Sequence, residues 1–507
     1  MTTQSSPSWR VRLRRGALLW VLCAVPVTPG LVTEANGGTS RITWDPNTLT
    51  LVAQGGGYGR MIRLRSGALL CCYEKDRGIR ARQSDDEGRS WQTPVQVAGY
   101  DFGNLANPEL LELQEGQLIC LYNERPQDGE HPFAIVMVKY DPSAQAWGPG
   151  HRLYTADVEW GNGCWEPAAI QLASGEIQVY FSNENPYRLT DEQEITMLRS
   201  FDQGCTWTGP QTVCMRSGSR DGMAVPLILQ GGRGIVMAIE DNGLSGDFKP
   251  VIVYSTLAAN WSRAPVRGDS VQRWGALRVP LASEVGAGAP YIRQMPTGHT
   301  ILSFQTNDGG RTELQMAVCI GDEWARDFAE TTFPFDLKPG VAALWNSLCV
   351  KDANTITALS GTKIRGIQGL WAIDGHFDPG GSPLPGTGDS EARVVSVWSH
   401  SVGNGKATLH RFFSNGFIDT AEGPAKWRLD GDTLTLTWYN PEARHSEWVE
   451  QVVLSEDLYS YAGADRLGVA ILGKLSQSLG AHPFLVEDPV DAAGQTGDER
   501  DPSATDP

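Results

Sequence analysis

The chain has 507 residues, 41% of them hydrophobic, with 57 Gly, 17 Trp and a formal net charge of −17. That length exceeds one ordinary domain, and so many glycines among apolar residues suit a core of short strands and tight turns. The acidity argues against a polyanionic partner such as nucleic acid, because no surplus of cations could neutralise phosphates. It otherwise serves solubility.

The N-terminus reads as a secretory signal within residues 1–36. Arg10, Arg12, Arg14 and Arg15 form a basic start, and the apolar run from Ala17 to Val25 is too short to span a bilayer. No later apolar run reaches 18 residues, so a secreted or periplasmic protein without an integral membrane segment is expected. Outside that segment lie Cys71, Cys72, Cys120, Cys164, Cys205, Cys214, Cys319 and Cys349. Their spacing defines no disulfide framework, and most sit in apolar runs as small hydrophobes. No Cys-x-x-Cys or His-x₃-His pair occurs and the eight His are scattered, so neither a metal site nor a cofactor is expected.

From residue 42 one unit repeats. Six segments combine a turn with a β-rich run, starting at Ser66, Glu115, Ser174, Gly232, Thr297 and Ala353, each preceded by another apolar run. Two runs around a Gly turn read as a hairpin. A tryptophan recurs after each: Trp91, Trp147, Trp207, Trp261, Trp324 and Trp371, at intervals of 47 to 63 residues. This spacing suits four-stranded blades, and the pattern predicts an all-β, six-bladed β-propeller over 42–376. The run from Ile42 to Val52 is placed to supply the strand that closes the ring. Two units end in an octet of the form S-x-D-x-G-x-S/T-W, Ser84 to Trp91 and Ser200 to Trp207. Short polar side chains in such a turn bond nearby backbone and fix it.

A Gly/Pro-rich linker is expected over 377–390. A small antiparallel β barrel or sandwich follows over 391–476, with Asp430-Gly431 as a hairpin turn. An acidic tail over 483–507, holding seven Asp and Glu, reads as disordered.

Blade geometry points to the functional face. The start of each first strand and the end of each second strand share one face of the disc, while the third strand, and hence each octet, ends on the other. The octet aspartates are therefore expected to be structural. The first set comprises Arg60, Asn107, Glu109, Trp165 with Glu166, Arg220, Asp221, Tyr291, Arg293 and Trp345. The second includes Glu74, Asn123, Ser182, Glu240, Gln305 and Gly361. So many charges would be costly in a packed core unless paired, which favours a water-filled mouth. Glu74 and Glu109 could equally be paired with Arg60 to hold that mouth, and Arg220 could be an ordinary surface residue. Glu166 sits between Trp165 and Pro167, a setting that raises a carboxyl pKa by desolvation. Glu240 ends the apolar run from Gly234 to Ile239.

The run Tyr58-Gly-Arg60-Met-Ile-Arg-Leu, the two octets (the Asp box) and the sixfold hairpin resemble the sialidase superfamily of six-bladed propellers, over roughly residues 50–375. Within it, Trp165-Glu166-Pro167 and Ala238-Ile-Glu240-Asp-Asn resemble the two catalytic carboxylates of exo-arabinanase-type enzymes of glycoside hydrolase family 93. The resemblance implies a retaining, exo-acting glycosidase with Glu166 as acid/base and Glu240 as nucleophile, an oligo- or polysaccharide substrate, and a monomer. True sialidases are the alternative: they grip a sugar carboxylate with three arginines, for which Arg60, Arg220 and Arg293 are the candidates. Against this, Leu344-Trp345 stands where their catalytic tyrosine is expected, and the loop after Glu74 is short. Another glycan hydrolase or lyase on this fold, and a propeller that binds glycan or protein without catalysis, are the further possibilities.

Overall fold

The computed structural model describes residues 40–262, 264–380 and eight strands between 394 and 478. The expected secretory signal, most of the linker and the acidic tail lie outside the described residues. Six antiparallel sheets form the blades. Their innermost strands are Gly57–Arg63, Gly103–Glu112, Cys164–Gln171, Asp221–Leu229, Ala287–Gln294 and Ala343–Val350, here blades 1 to 6. Each touches the next around the axis, and blade 6 touches blade 1. The second strands are buried on both faces; Ile177–Asn183 and Thr300–Thr306 are buried throughout. This explains their near-continuous apolar runs: each packs between two neighbouring blades. The first strand pairs with the second around tight turns such as Ser174-Gly175, where Gly175 takes φ +90°.

Blade 6 has only three strands of its own, and its edge is completed from the other end of the chain. Arg41–Trp44 and Thr50–Gln54 both pair with its third strand, Ile367–Asp378. The ring is therefore closed by the segment marked out in the sequence. One detail differs. Trp371 lies inside that third strand, whereas Trp91, Trp147, Trp207, Trp261 and Trp324 follow theirs. A Trp in a strand and a Trp in a turn look alike without the register.

A second repeat is visible only in the register. Every innermost strand carries a β-bulge near its start, between Gly57 and Arg60, Ala106 and Glu109, Trp165 and Ala168, Gly222 and Val225, Gly288 and Tyr291, and Leu344 and Ser347. Each bulge holds one non-glycine residue with left-handed φ: Tyr58, Asn107, Glu166, Met223, Ala289 and Trp345, at +46° to +57°. Such backbone costs about 1–3 kcal/mol per residue and persists only where the surroundings enforce it. Asn107, Glu166 and Ala289 also precede proline, which ordinarily favours extended backbone. The bulge re-aims one residue per blade toward the axis on a single face of the disc.

The strands between Val394 and Ser478 form a closed, eight-stranded antiparallel barrel. Its interior includes Trp398, Phe412, Leu434, Leu436, Val452 and Ile471. Of the cysteines among the described residues, all but exposed Cys205 are buried, as small hydrophobes would be. Among the described residues no helix is long and apolar enough to cross a membrane.

Candidate active site

The six bulges build the mouth. Tyr58, Met223 and Ala289 pack together and are buried, so three blades contribute to its floor. Trp345 remains 41% exposed, with its ring 6.0 Å from that of Tyr58.

Bulge N–H groups are donated across blade boundaries to side chains ending the second strands. Asn107 N donates to Glu74 Oε1 at 2.7 Å, Met223 N to Ser182 Oγ at 2.9 Å, Ala289 N to Glu240 Oε2 at 2.7 Å, and Trp345 N to Gln305 Oε1 at 3.2 Å. Glu74, Ser182, Glu240 and Gln305 are thus equivalent positions of one inter-blade clamp. Blade 2 varies the theme: Asn123 Nδ2 donates to Cys164 O at 2.7 Å. Blade 6 has Gly361 there.

Glu166 itself occupies a bulge and also receives the bulge N–H of the next blade. Its Oε2 accepts from Ser182 Oγ at 3.1 Å and from Met223 N at 3.2 Å. It is half-buried. Burial raises its pKa, with the charge of Glu184 adding to the rise; Arg125 and the two donors oppose it. Glu240, also half-buried, is pushed up to about 8. Burial is the largest cause and the charge of Glu166 the next, while the Ala289 N–H and Arg220 oppose it. Glu74 is raised as well, chiefly by burial, with Asn107 N–H, Arg125 and Arg60 pulling it back.

Space for Glu240 is made by two glycines. A Cβ on Gly222 would lie 3.0 Å from Glu240 Oε1, and one on Gly288 only 2.6 Å from Oε2. The Gly222–Met223 peptide also links the two acids, since its N–H reaches Glu166. Taken at full extension, these contacts cap the separation of a Glu166 oxygen from a Glu240 oxygen at about 10 Å. Carboxyls that flank a scissile glycosidic bond stand about 5–9.5 Å apart.

Other expected residues fall into three groups. Arg60, Glu109, Tyr291 and Arg293 form a mutually satisfied cluster. Arg60 Nε lies 3.4 Å from Glu109 Oε2, and its guanidinium is sandwiched between the rings of Tyr58 and Tyr291 at 4.0 and 4.7 Å. Arg293 bonds the Tyr291 hydroxyl and stands 3.9 Å from Glu109. Arg60, Glu109 and Tyr291 are buried, so this set braces the hub, as the pairing alternative for Glu109 anticipated. Arg220 is held elsewhere, ion-paired to Glu184. The three arginines proposed for an anionic sugar therefore already stand beside carboxylates of the chain.

Two expectations are corrected. Asp221 does not line the mouth: it is fully buried and paired with Arg273, which also binds Asp241. Strand neighbours point to opposite faces, so Asp221 turns away from the side on which Gly222 meets Glu240. Trp165 is only 6% exposed, packed on Phe133 with ring centroids 4.9 Å apart, and so belongs to the core between blades 2 and 3.

One contributor was not foreseen. Arg125 donates to Asn123 Oδ1 at 2.8 Å, bonds Asn107 Oδ1, and lies 5.0 Å over the Trp165 ring. Its charge is the largest influence pulling the Glu166 pKa down. It follows Asn123 by two positions on the same strand, so period-2 alternation would have placed it.

No family model matches the chain, and no curated protein matches it. Among solved structures it is similar to a protein of unknown function from Dyadobacter fermentans DSM 18053, with TM-score 0.51, 15% identity, and 67% of this chain and 99% of that one covered. It is also similar to the α-L-arabinofuranosidase of Fusarium graminearum. With an iminosugar inhibitor bound, that enzyme matches at TM-score 0.50 and 15% identity over 67% of this chain and 98% of its own. With arabinobiose, and described as family GH93, it matches at TM-score 0.50 and 16% identity over 66% and 97%. These likenesses are of fold: the six-bladed propeller is shared.

Proposed function

We propose that the protein is a secreted or periplasmic, exo-acting glycoside hydrolase that removes terminal arabinofuranose-like sugars from a glycan with retention of configuration. The observation that carries this reading is the pair Glu166 and Glu240. They are half-buried carboxyls on adjacent blades at one mouth, and the charge of Glu166 adds to the burial that keeps Glu240 protonated. Such a pair titrates together and holds one proton into the neutral range. That is the state a retaining hydrolysis requires: one carboxylic acid to protonate the departing oxygen, one carboxylate to attack the anomeric carbon. Water then releases the sugar, with the first group acting as base. The fold shared with an α-L-arabinofuranosidase supports the choice of sugar. A sialidase reading has less support, because Arg60 and Arg293 are engaged around Glu109 and Arg220 with Glu184.

The resemblance assigns acid/base to Glu166 and nucleophile to Glu240. The electrostatics favour a second assignment with the roles exchanged. Arg125 and two hydrogen-bond donors favour charge on Glu166, while Glu240 is pushed up to about 8. Azide rescue separates the two. In Glu240→Ala and Glu166→Ala, an activated aryl arabinofuranoside plus azide should yield glycosyl azide. The variant lacking the nucleophile gives the inverted anomer; the variant lacking the acid/base gives the retained one. The wider reading is tested by screening purified protein against linear arabinan, sialyl conjugates and aryl glycosides. Full activity in Glu240→Gln would remove the proposed mechanism.

A further inference from the structure

An exo-acting site holds one terminal sugar, so the rest of the glycan must leave over the rim. Trp160 marks a direction. It lies in the short turn Trp160–Asn162, immediately before the innermost strand of blade 3, and is 63% exposed. Such exposure leaves most of the indole's apolar surface in water. The ring is nevertheless firmly seated. Its centroid is 4.8 Å from that of Trp165 and 5.6 Å from that of Phe133, against which it stands edge-on at 84°. Both supporting rings are buried. Gly163 permits this fold-back, since a Cβ there would lie 2.4 Å from the Trp165 ring.

The support continues to the reacting groups. Trp165, beneath Trp160, precedes Glu166 and carries the Arg125 guanidinium over its ring. A second flat surface stands on the neighbouring blade. Phe102, 47% exposed, stacks on His131 with centroids 3.8 Å apart and planes within 20°. His131 leads through Pro132 to Phe133, one of the rings that hold Trp160. One intervening residue thus separates the support of one plate from that of the other.

We propose that this rim, with Trp160 as its main plate, is a binding subsite for the second and later sugars of a neutral glycan. The inference rests on the glycosidase reading above. Rigid aromatic faces give contact area at little entropic cost, and a sugar presents a C–H face to them. The ligand is neutral, because the chain carries −17 and the turn is flanked by Asp157 and Glu159. Asp157 is already paired with Arg188, at 2.6 Å.

The test uses the full chain with Trp160→Leu, which keeps an apolar cover over Trp165 and removes the flat face. Binding of linear arabino-oligosaccharides and of free arabinose, which fills the terminal-sugar position alone, is measured by calorimetry in a Glu240→Gln background. Trp160→Leu should weaken oligosaccharide binding about tenfold and leave arabinose binding within about twofold. Undiminished oligosaccharide binding, or equal losses on both ligands, overturns the subsite while leaving the glycosidase reading standing. If Glu240→Gln protein with Trp160 intact binds no oligosaccharide and the native protein cleaves no glycoside, the parent reading fails and the subsite falls with it.

Discussion

The two faces of the propeller both display carboxylates, and they treat them in opposite ways. On the octet face Asp202 accepts from Ser200 Oγ and Thr206 N at 2.8 Å, from Cys205 N at 3.1 Å and from Thr206 Oγ1 at 2.6 Å. Asp86 repeats the pattern with Ser84 and Ser90. Both are held down to about 2 by these donors. On the mouth face Glu74, Glu166 and Glu240 receive fewer donors, more burial and the charge of a neighbouring carboxylate (Glu166 for Glu74 and Glu240, Glu184 for Glu166), and all are raised. The octet carboxylates stabilise the fold by being charged. The mouth carboxylates are kept charged only at a cost.

The largest expected effect separates the faces by activity. Glu166→Gln and Glu240→Gln should each lower kcat on arabinan by about a hundred- to ten-thousandfold. Asp202→Asn should change it by less than about twofold. Equal losses on both faces would show that activity merely tracks folding.

Stability should move the other way. A carboxyl raised in the folded state holds extra protons there, so folding loses stability as pH rises from about 4.5 through about 8. Glu240→Gln keeps an acceptor for the Ala289 N–H and removes the titration. Its melting temperature should exceed the parent's by a margin that grows across that window; a flat difference would contradict the burial of the charge. Asp202→Ala should melt lower than the parent at pH 7. Because the native pKa is depressed, that deficit should shrink as pH falls from about 3.8 to about 2. The smallest effect concerns Ser182, which donates to Glu166 and so favours its charged form. Ser182→Ala should shift the acidic limb of the kcat/KM profile upward without abolishing turnover. An unmoved limb would detach Ser182 from the titrating pair.

The propeller was legible because each hairpin states itself locally, as an apolar run, a Gly turn and a second run. Even ring closure showed in the Ile42–Val52 run. The bulges were not legible, since a one-residue register shift is a relation between two strands and leaves no composition behind. Asn107-Pro108, Glu166-Pro167 and Ala289-Pro290 share an X-Pro step, yet the other three bulges lack it. That hidden shift also explains the mixed outcome at the site. Glu166 and Glu240 stay half-buried beside the bulges, whereas Asp221, one residue from Gly222, turns into a buried ion pair with Arg273. Arg125 could have been found by alternation from Asn123, but the approach of Trp165 beneath it could not.

The closing strands also set a timetable. Arg41 pairs with Asp378 and Thr50 with Ala372. At synthesis rates of about 5–20 residues per second, the first strand made waits roughly 15–70 s for its partner to emerge. Through that interval it is an unpaired edge, open to any other strand nearby. The segment is suited to the wait. It is split into pieces of four and five residues by a turn that starts Asp45-Pro46, with the Asp45 carboxylate accepting from Asn47 N. Short pieces interrupted by a proline make a poor template for aggregation, and together they still complete the sixth blade once it arrives.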